Sequence, residues 1–157
     1  MFEAAVEMVL QHEGGYVYDA RDPGGETNYG ISKRAYPEIN IKELTRDDAK
    51  RIYKADYWDV VRAGEMPEPI GIAVFDMAVN AGAGTAIRLL QRVVDVADDG
   101  IIGPVTIAAV INKDPHWLAV RYAAERISYY AALSGWQRFG RGWSARVIKT
   151  AIVGLAG

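Results

Sequence analysis

The stretch EGGYVYDARDPGGETNYGI, residues 13–31, decides the fold. Alternating aromatic and β-branched residues at 16–19 predict a short strand, and the Asp-Pro-Gly-Gly run that follows predicts a turn. Residues 27–31 are expected to return as a second strand. The sequence therefore predicts a small β element over about residues 16–41.

A helix leads into this stretch from the N-terminus. Val6, Val9 and Leu10 recur at the three- and four-residue spacing of one helix face, and Glu13 continues the apolar stripe before two glycines end the helix. A carboxyl group at the end of such a stripe is partly removed from water, which favours its protonated form. Glu13 is therefore the expected general acid.

A second carboxylate, Asp22, lies nine residues later in a polar turn, where it stays solvated and ionised. Thr27 adds a neutral hydroxyl that can orient water. Cleavage of a glycosidic bond needs one protonated acid and one ionised carboxylate, so these residue types fit a glycoside hydrolase. The alternative is a helix-end glutamate, a turn aspartate and a threonine that only fills a strand.

The motifs of this stretch resemble a known enzyme family. They are EGGY at 13–16, DPGG at 22–25, Thr27 and YGI at 29–31. Together they are similar to the signature of glycoside hydrolase family 108, the phage and prophage N-acetylmuramidases. Three later segments resemble the peptidoglycan-binding region of that family: DYW at 56–58, FDMAVNAG at 75–82 and DGIIGPVT at 99–106.

The resemblance implies an endolysin that causes bacterial lysis. Its substrate is the β-1,4 bond between N-acetylmuramic acid and N-acetylglucosamine, with Glu13 as proton donor and Asp22 as the second carboxylate. Thr27 positions water or substrate, although its spacing from the Gly-Ile step leaves Asn28 as an alternative for that role.

Length and composition agree with one compact enzyme. The chain has 157 residues, of which 50% are hydrophobic and 24% charged. We expect a mainly α (α+β), lysozyme-like single domain over residues 1–157. It has a catalytic lobe at about 1–65, a helical peptidoglycan-binding-like lobe at about 66–157, and a cleft between them. There is no cysteine and only two distant histidines, so neither a metal nor a cofactor is expected.

Further residues are predicted to bind the sugar. Tyr29, Tyr57 and Trp58 are candidates for stacking on sugar rings. Asp76 and Asn80 lie four residues apart on a nearly all-apolar helix at 70–81, and buried polar groups need partners. They either contact sugar substituents or form a structural network.

The charge is divided along the chain. Residues 1–115 hold 12 basic and 19 acidic residues, whereas residues 116–157 hold 6 basic and 1 acidic. We expect the basic C-terminal helices to contact the anionic cell envelope, with the alternative of a solvated helix face. The basic side chains concerned are Arg138, Arg141, Arg146 and Lys149. The acidic first part and the lack of a recognised motif exclude nucleic acid as a partner.

The N-terminus lacks the basic start and apolar run of a secretory signal, and no window is long enough to span a membrane. We therefore expect a monomer made in a host cytoplasm, which reaches the periplasm and cell wall through a separate holin-type pore.

Two other functions remain open. A lytic transglycosylase uses a lone glutamate as acid and then base, and it leaves anhydro sugar ends. A non-catalytic wall-binding module is suggested by DGIIGPVT, but the set of Glu13, Asp22 and Thr27 argues against it.

Overall fold

The computed structural model describes all residues, 1–157. Its helices are α1 (Phe2–His12), α2 (Arg46–Tyr53), α3 (Glu68–Ala81), α4 (Ala83–Val93), α5 (Pro104–Ile111), α6 (Pro115–Ala131) and α7 (Trp136–Leu155). Its strands are β1 (Val17–Tyr18), β2 (Glu26–Asn28) and β3 (Ile31–Ser32), which pair in that order as one antiparallel sheet. The predicted mainly α fold with a small β element is confirmed. No helix is long and apolar enough to cross a membrane.

The chain forms two compact units, one of residues 2–56 and one of residues 57–157 together with Met1. They divide between Asp56 and Tyr57, within a π-helical turn at Lys54–Trp58 that continues from α2. The predicted single domain with a lobe boundary at about residue 65, and the cleft between its lobes, stay predictions.

In the first unit, α1 buries the predicted stripe of Val6, Val9 and Leu10. Ion pairs on its other side join it to α2, where Lys50 lies 2.9 Å from Glu3 and 2.7 Å from Glu7. Such exposed pairs add little stability, so the buried stripe is the main reason that α1 packs where it does.

The start of α2 is a capping box. The Thr45 hydroxyl accepts a hydrogen bond from the Asp48 amide, and the Asp48 carboxylate accepts one from the Thr45 amide. Two amides that the helix leaves without partners are thereby satisfied.

The predicted single strand over residues 27–31 is wrong, because the chain reverses within it. Tyr29 and Gly30 have φ angles of 52° and 77° and form a two-residue turn between the paired residues Asn28 and Ile31. A turn with two positive φ angles matches the twist of a tight hairpin, and glycine is well suited to its second position.

The inner part of the second unit is α3, whose residues 70–78 are all buried. The helices α4, α6 and α7 pack around it. The nearly all-apolar helix expected at 70–81 is thus the helix at the centre of this unit's core. Its nearly continuous apolar surface is what allows three helices to cover it.

The DGIIGPVT segment forms a turn followed by the start of a helix. The buried side chain of Gln91 holds the turn: its Nε2 donates to Asp99 Oδ1 at 2.8 Å, and its Oε1 accepts from the Gly100 amide at 2.9 Å. Pro104 is the first residue of α5, where its missing N–H costs no hydrogen bond.

Candidate active site

Glu13 lies one residue beyond α1, and its amide still donates to the Val9 carbonyl at 3.1 Å. The end of the helix therefore fixes its backbone. Its half-buried side chain lies against the turn between β2 and β3. A β-carbon built at Gly30 would be 2.8 Å from both Cγ and Cδ of Glu13, so only a glycine leaves room for this carboxyl group.

The turn itself is held from two sides. The Tyr29 amide donates to the Gly14 carbonyl at 3.1 Å, and the Tyr53 hydroxyl donates to the Tyr29 carbonyl at 2.8 Å. Tyr53, on the last turn of α2, is 2% exposed, and its hydroxyl also lies against Gly30. The ends of α1 and α2 and the hairpin turn thus meet around Glu13.

Sequence reasoning missed the roles of Tyr53 and Gly30 in this arrangement. A signal for Gly30 was present, because glycine at the second position of a short segment between two strands is typical of a two-residue hairpin. Nothing local distinguishes Tyr53 from any other core-facing aromatic residue.

Asp22 lies in the loop between β1 and β2. Its Oδ1 accepts a hydrogen bond from the Gly24 amide at 2.9 Å, and its backbone carbonyl accepts one from the Gly25 amide at 2.9 Å. The residue is exposed and takes part in no ion pair. The carboxylate of Asp22 is therefore in contact with solvent.

Thr27 and Ser32 are paired across the sheet, so their side chains share one face. A β-carbon built at Gly24 would lie 3.4 Å from Asp22 Oδ1, 3.8 Å from Thr27 Cγ2 and 3.7 Å from Ser32 Cβ. These side chains therefore converge over Gly24. Sequence reasoning did not single out Ser32.

Asn28 has a different environment from Thr27. It is 6% exposed, and its Nδ2 donates to the Ile41 carbonyl at 3.1 Å and to the Leu44 carbonyl at 3.4 Å. Its amide thus ties the sheet to the short 3-10 helix Ile41–Glu43. Of the two candidates for positioning water, Thr27 is the one beside Asp22.

The strand β2 connects these two groups of side chains. Asp22 lies in the loop that leads into β2, Thr27 is the middle residue of β2, and the turn after β2 places Gly30 against Glu13. Both carboxylates of the predicted set thus belong to the sheet with its loops and to the helix end that it contacts. No cluster of three or more His, Asp or Glu side chains suitable for a metal ion is present.

Of the residues predicted to stack on sugars, Trp58 is in the core. It is 5% exposed, and its ring packs edge-on against Phe75 with a centroid distance of 5.4 Å. A ring buried in this way has no free face for a sugar. Tyr29 and Tyr57 are half-buried, and their predicted contact with the substrate stays a prediction.

Asp76 is also in the core, with no exposed surface. Its carboxylate is 2.6 Å from an amino group of Arg126 and 3.0 Å from Nε of Arg146, and it accepts a hydrogen bond from the Thr150 hydroxyl at 3.1 Å. The structure therefore does not place Asp76 where a sugar can reach it. It supports the alternative, a network that joins α3, α6 and α7.

Asn80 takes part in a neighbouring contact, since its amide donates to the hydroxyl of Tyr130. It is nevertheless exposed at the end of α3, so its predicted contact with a sugar stays a prediction.

The ionisation of Asp76 is governed by opposing effects. Burial alone would raise the pKa of its carboxyl group, but the charges of Arg126 and Arg146 outweigh burial and hold that pKa below its usual range. Asp76 is thus an ionised structural residue.

This network also corrects the predicted basic surface of the C-terminal helices. Arg146 turns inward to Asp76, and its side chain is only 13% exposed. The exposed members of the predicted set are Arg138, Arg141 and Lys149.

A mainly α chain with a carboxylate at a helix end beside a small antiparallel sheet has the architecture of a lysozyme-like glycoside hydrolase. The family described as Glycosyl hydrolase 108 matches residues 6–82. The family described as Predicted Peptidoglycan domain matches residues 85–148. The chain belongs to glycosyl hydrolase family 108, and its two regions together make it a peptidoglycan hydrolase.

The chain is also similar to a solved structure over nearly its whole length. The chain is similar to the protein in "Structure of Brucella abortus SagA", with 34% sequence identity and a TM-score of 0.88. The alignment covers 99% of this chain and 94% of that chain. A comparison with curated proteins gives no match.

Proposed function

We propose that this peptidoglycan hydrolase is an N-acetylmuramidase that cleaves the β-1,4 bond between N-acetylmuramic acid and N-acetylglucosamine. The observation that carries the proposal is the placement of Glu13 against Gly30, in the turn after the strand that contains Thr27 and follows the Asp22 loop. A half-buried carboxyl group and an exposed one fit the two different roles that glycoside hydrolysis needs.

In the proposed reaction, Glu13 donates a proton to the glycosidic oxygen as its bond to the anomeric carbon breaks. Asp22 accepts a proton from a water molecule that attacks the anomeric carbon from the opposite face of the ring. The hydroxyl of Thr27, whose side chain converges with Asp22 over Gly24, orients that water. The fixed backbone of Glu13 and the closed loop of Asp22 keep both groups in place before the substrate arrives.

The biological setting belongs to the same proposal. The enzyme acts as a phage or prophage endolysin that lyses its bacterial host and reaches the cell wall through a separate pore. It acts as a monomer, and Arg138, Arg141 and Lys149 attract the anionic envelope at long range.

The test is mass spectrometry of the soluble products that the native protein and Glu13→Gln release from purified Gram-negative peptidoglycan. Reducing muramic acid ends that disappear with Glu13→Gln support the proposal. Glu3→Gln is the control, because Glu3 also lies on α1 but is exposed and pairs with Lys50.

Other products would identify another function. Anhydro muramic acid ends would indicate a lytic transglycosylase. Binding to peptidoglycan without any soluble product would indicate a wall-binding module. Equal product from native protein and Glu13→Gln would mean that another residue is the acid.

A further inference from the structure

An open cavity of about 290 Å³ lies between α4 and α6, in the region that matches the peptidoglycan domain. Leu89 and Arg92 line it from α4, and Glu125, Ser128 and Tyr129 line it from α6. The two helices are fixed against each other nearby, since the buried Tyr122 hydroxyl donates to the Ala86 carbonyl at 3.0 Å. The cavity walls are therefore formed by rigid elements.

Glu125 is unusual in this region. It is the single acidic residue among residues 116–157, which contain six basic ones. It is half-buried and has neither an ion pair nor a hydrogen bond within the chain. By contrast, Asp76 is surrounded by two arginines. Removing a carboxylate partly from water without a cation is unfavourable, so a cationic group from outside the chain would satisfy it.

Arg92 supplies the opposite charge in the same cavity. Its Nε donates to Asp98 Oδ2 at 2.8 Å, which fixes the orientation of the guanidinium. The terminal amino groups of Arg92 make no hydrogen bond to the rest of the chain. A guanidinium held in this way is suited to bind a carboxylate.

We propose that this cavity binds the free zwitterionic end of the diamino acid in the stem peptide of peptidoglycan. Glu125 binds its ammonium group and Arg92 binds its carboxylate, while its aliphatic chain packs on Leu89 and on the ring of Tyr129. The inference rests on the proposed peptidoglycan substrate. In stem peptides that contain diaminopimelate, a diaminopimelate that is not cross-linked carries an ammonium and a carboxylate on the same carbon at its free end.

The cavity size agrees with this ligand. A cavity of about 290 Å³ has room for the side chain of one diamino acid. The site would recognise peptide rather than glycan, and it would favour wall that is not cross-linked.

The test is isothermal titration of the full chain with the tripeptide L-alanyl-γ-D-glutamyl-meso-diaminopimelate. Saturable binding to the native protein is expected, and Glu125→Gln and Arg92→Gln should each weaken it at least about tenfold, as expected when a charged hydrogen bond is lost. Arg121→Gln is the control, because Arg121 is exposed on α6 one turn before Glu125 and does not line the cavity. Thermal unfolding of each variant confirms that it is folded.

A second peptide tests the zwitterion directly. The same tripeptide with lysine in place of diaminopimelate keeps the ammonium but lacks the neighbouring carboxylate, so it should bind more weakly, and Arg92→Gln should not weaken it further. Equal binding of both peptides, or equal binding by native protein and Glu125→Gln, would overturn the proposal.

The tripeptide contains no sugar, so the result is independent of hydrolysis. If native protein releases muropeptides but does not bind the tripeptide, this inference fails and the muramidase proposal stands. If the tripeptide binds but no glycan is cleaved, the muramidase proposal fails and the cavity remains a wall-binding site.

Discussion

Gly30 lies so close to Glu13 that no β-carbon fits between them. A β-carbon at position 30 would be 2.8 Å from Cδ of Glu13 and 2.6 Å from the hydroxyl of Tyr53. Gly30 also has a φ angle of 77°, which disfavours any other residue. Because Gly30 has no side chain, the hairpin turn leaves room for the carboxyl group of Glu13, the proposed acid.

We expect Gly30→Ala to lower the rate of peptidoglycan cleavage by about 100-fold or more, because a displacement of Glu13 by about 1 Å is enough for such a loss. The measurement is the release of reducing ends at a temperature where the variant is folded. Gly82→Ala is the control, because Gly82 has a φ angle of 90° but no atom within 4 Å of its β-carbon position. Both variants should lose stability, and equal loss of activity in both would contradict the role of the Glu13 contact.

Asp22→Asn should remove activity without disturbing the loop. Asparagine keeps the oxygen that accepts the Gly24 amide, so only the negative charge is lost. We expect a rate reduction of roughly 100-fold or more, the usual effect of removing a general base. Asp19→Asn is the matched control in the same loop, because Asp19 Oδ1 accepts a hydrogen bond from the Arg21 amide in the same way. Normal cleavage by Asp22→Asn would exclude Asp22 as the second carboxylate.

The reaction is expected to invert the anomeric configuration. Asp22 is proposed to act as a base on the attacking water and not as a nucleophile, and that mechanism inverts the anomeric carbon. Carboxyl groups about 6.5–9.5 Å apart leave room for the attacking water, whereas about 5 Å is typical of retention. Proton NMR of the first product formed from a soluble oligosaccharide would show the α anomer. The β anomer as first product would indicate a nucleophilic carboxylate.

Much of the fold could be predicted because its signals are local. The apolar run of α3, the Thr45 capping box and Pro104 at the start of α5 each lie within a few residues of the feature they determine. Glu13 could likewise be placed at a helix end from the preceding stripe and the glycines that follow.

The partners of polar side chains could not be predicted in the same way. Arg126 and Arg146 lie 50 and 70 residues from Asp76 in sequence, and no local pattern connects them. Trp58 was expected to be accessible because nothing near it in sequence indicates that Phe75 covers it. The hairpin turn at Tyr29–Gly30 is locally encoded by its glycine, but the apolar and β-branched residues around it also fit one continuous strand.

Asp76→Asn should strongly destabilise the protein. It leaves the charge of Arg126 buried without its counter-ion, which typically costs about 3–5 kcal/mol. Asp95→Asn is the control, because Asp95 is 85% exposed and lies 3.8 Å from Lys113, a type of pair that contributes at most about 1 kcal/mol. Urea unfolding of both variants measures the change in the free energy of unfolding. A loss for Asp76→Asn no larger than that for Asp95→Asn would contradict the structural role of the network.

The effect of Asp76→Asn should depend on pH. The pKa of Asp76 in the folded protein lies below its usual value, because Arg126 and Arg146 outweigh the opposing effect of burial. As the pH falls, Asp76 is therefore protonated in the unfolded chain, at about pH 3.9, before it is protonated in the folded protein. The stabilisation by the carboxylate is complete above that pH and is lost as the pH falls towards the folded pKa. The difference in unfolding free energy between native protein and Asp76→Asn should thus be constant from pH 7 to 5 and shrink below about pH 4. A difference that grows on acidification would mean that Asp76 is protonated in the folded protein at neutral pH.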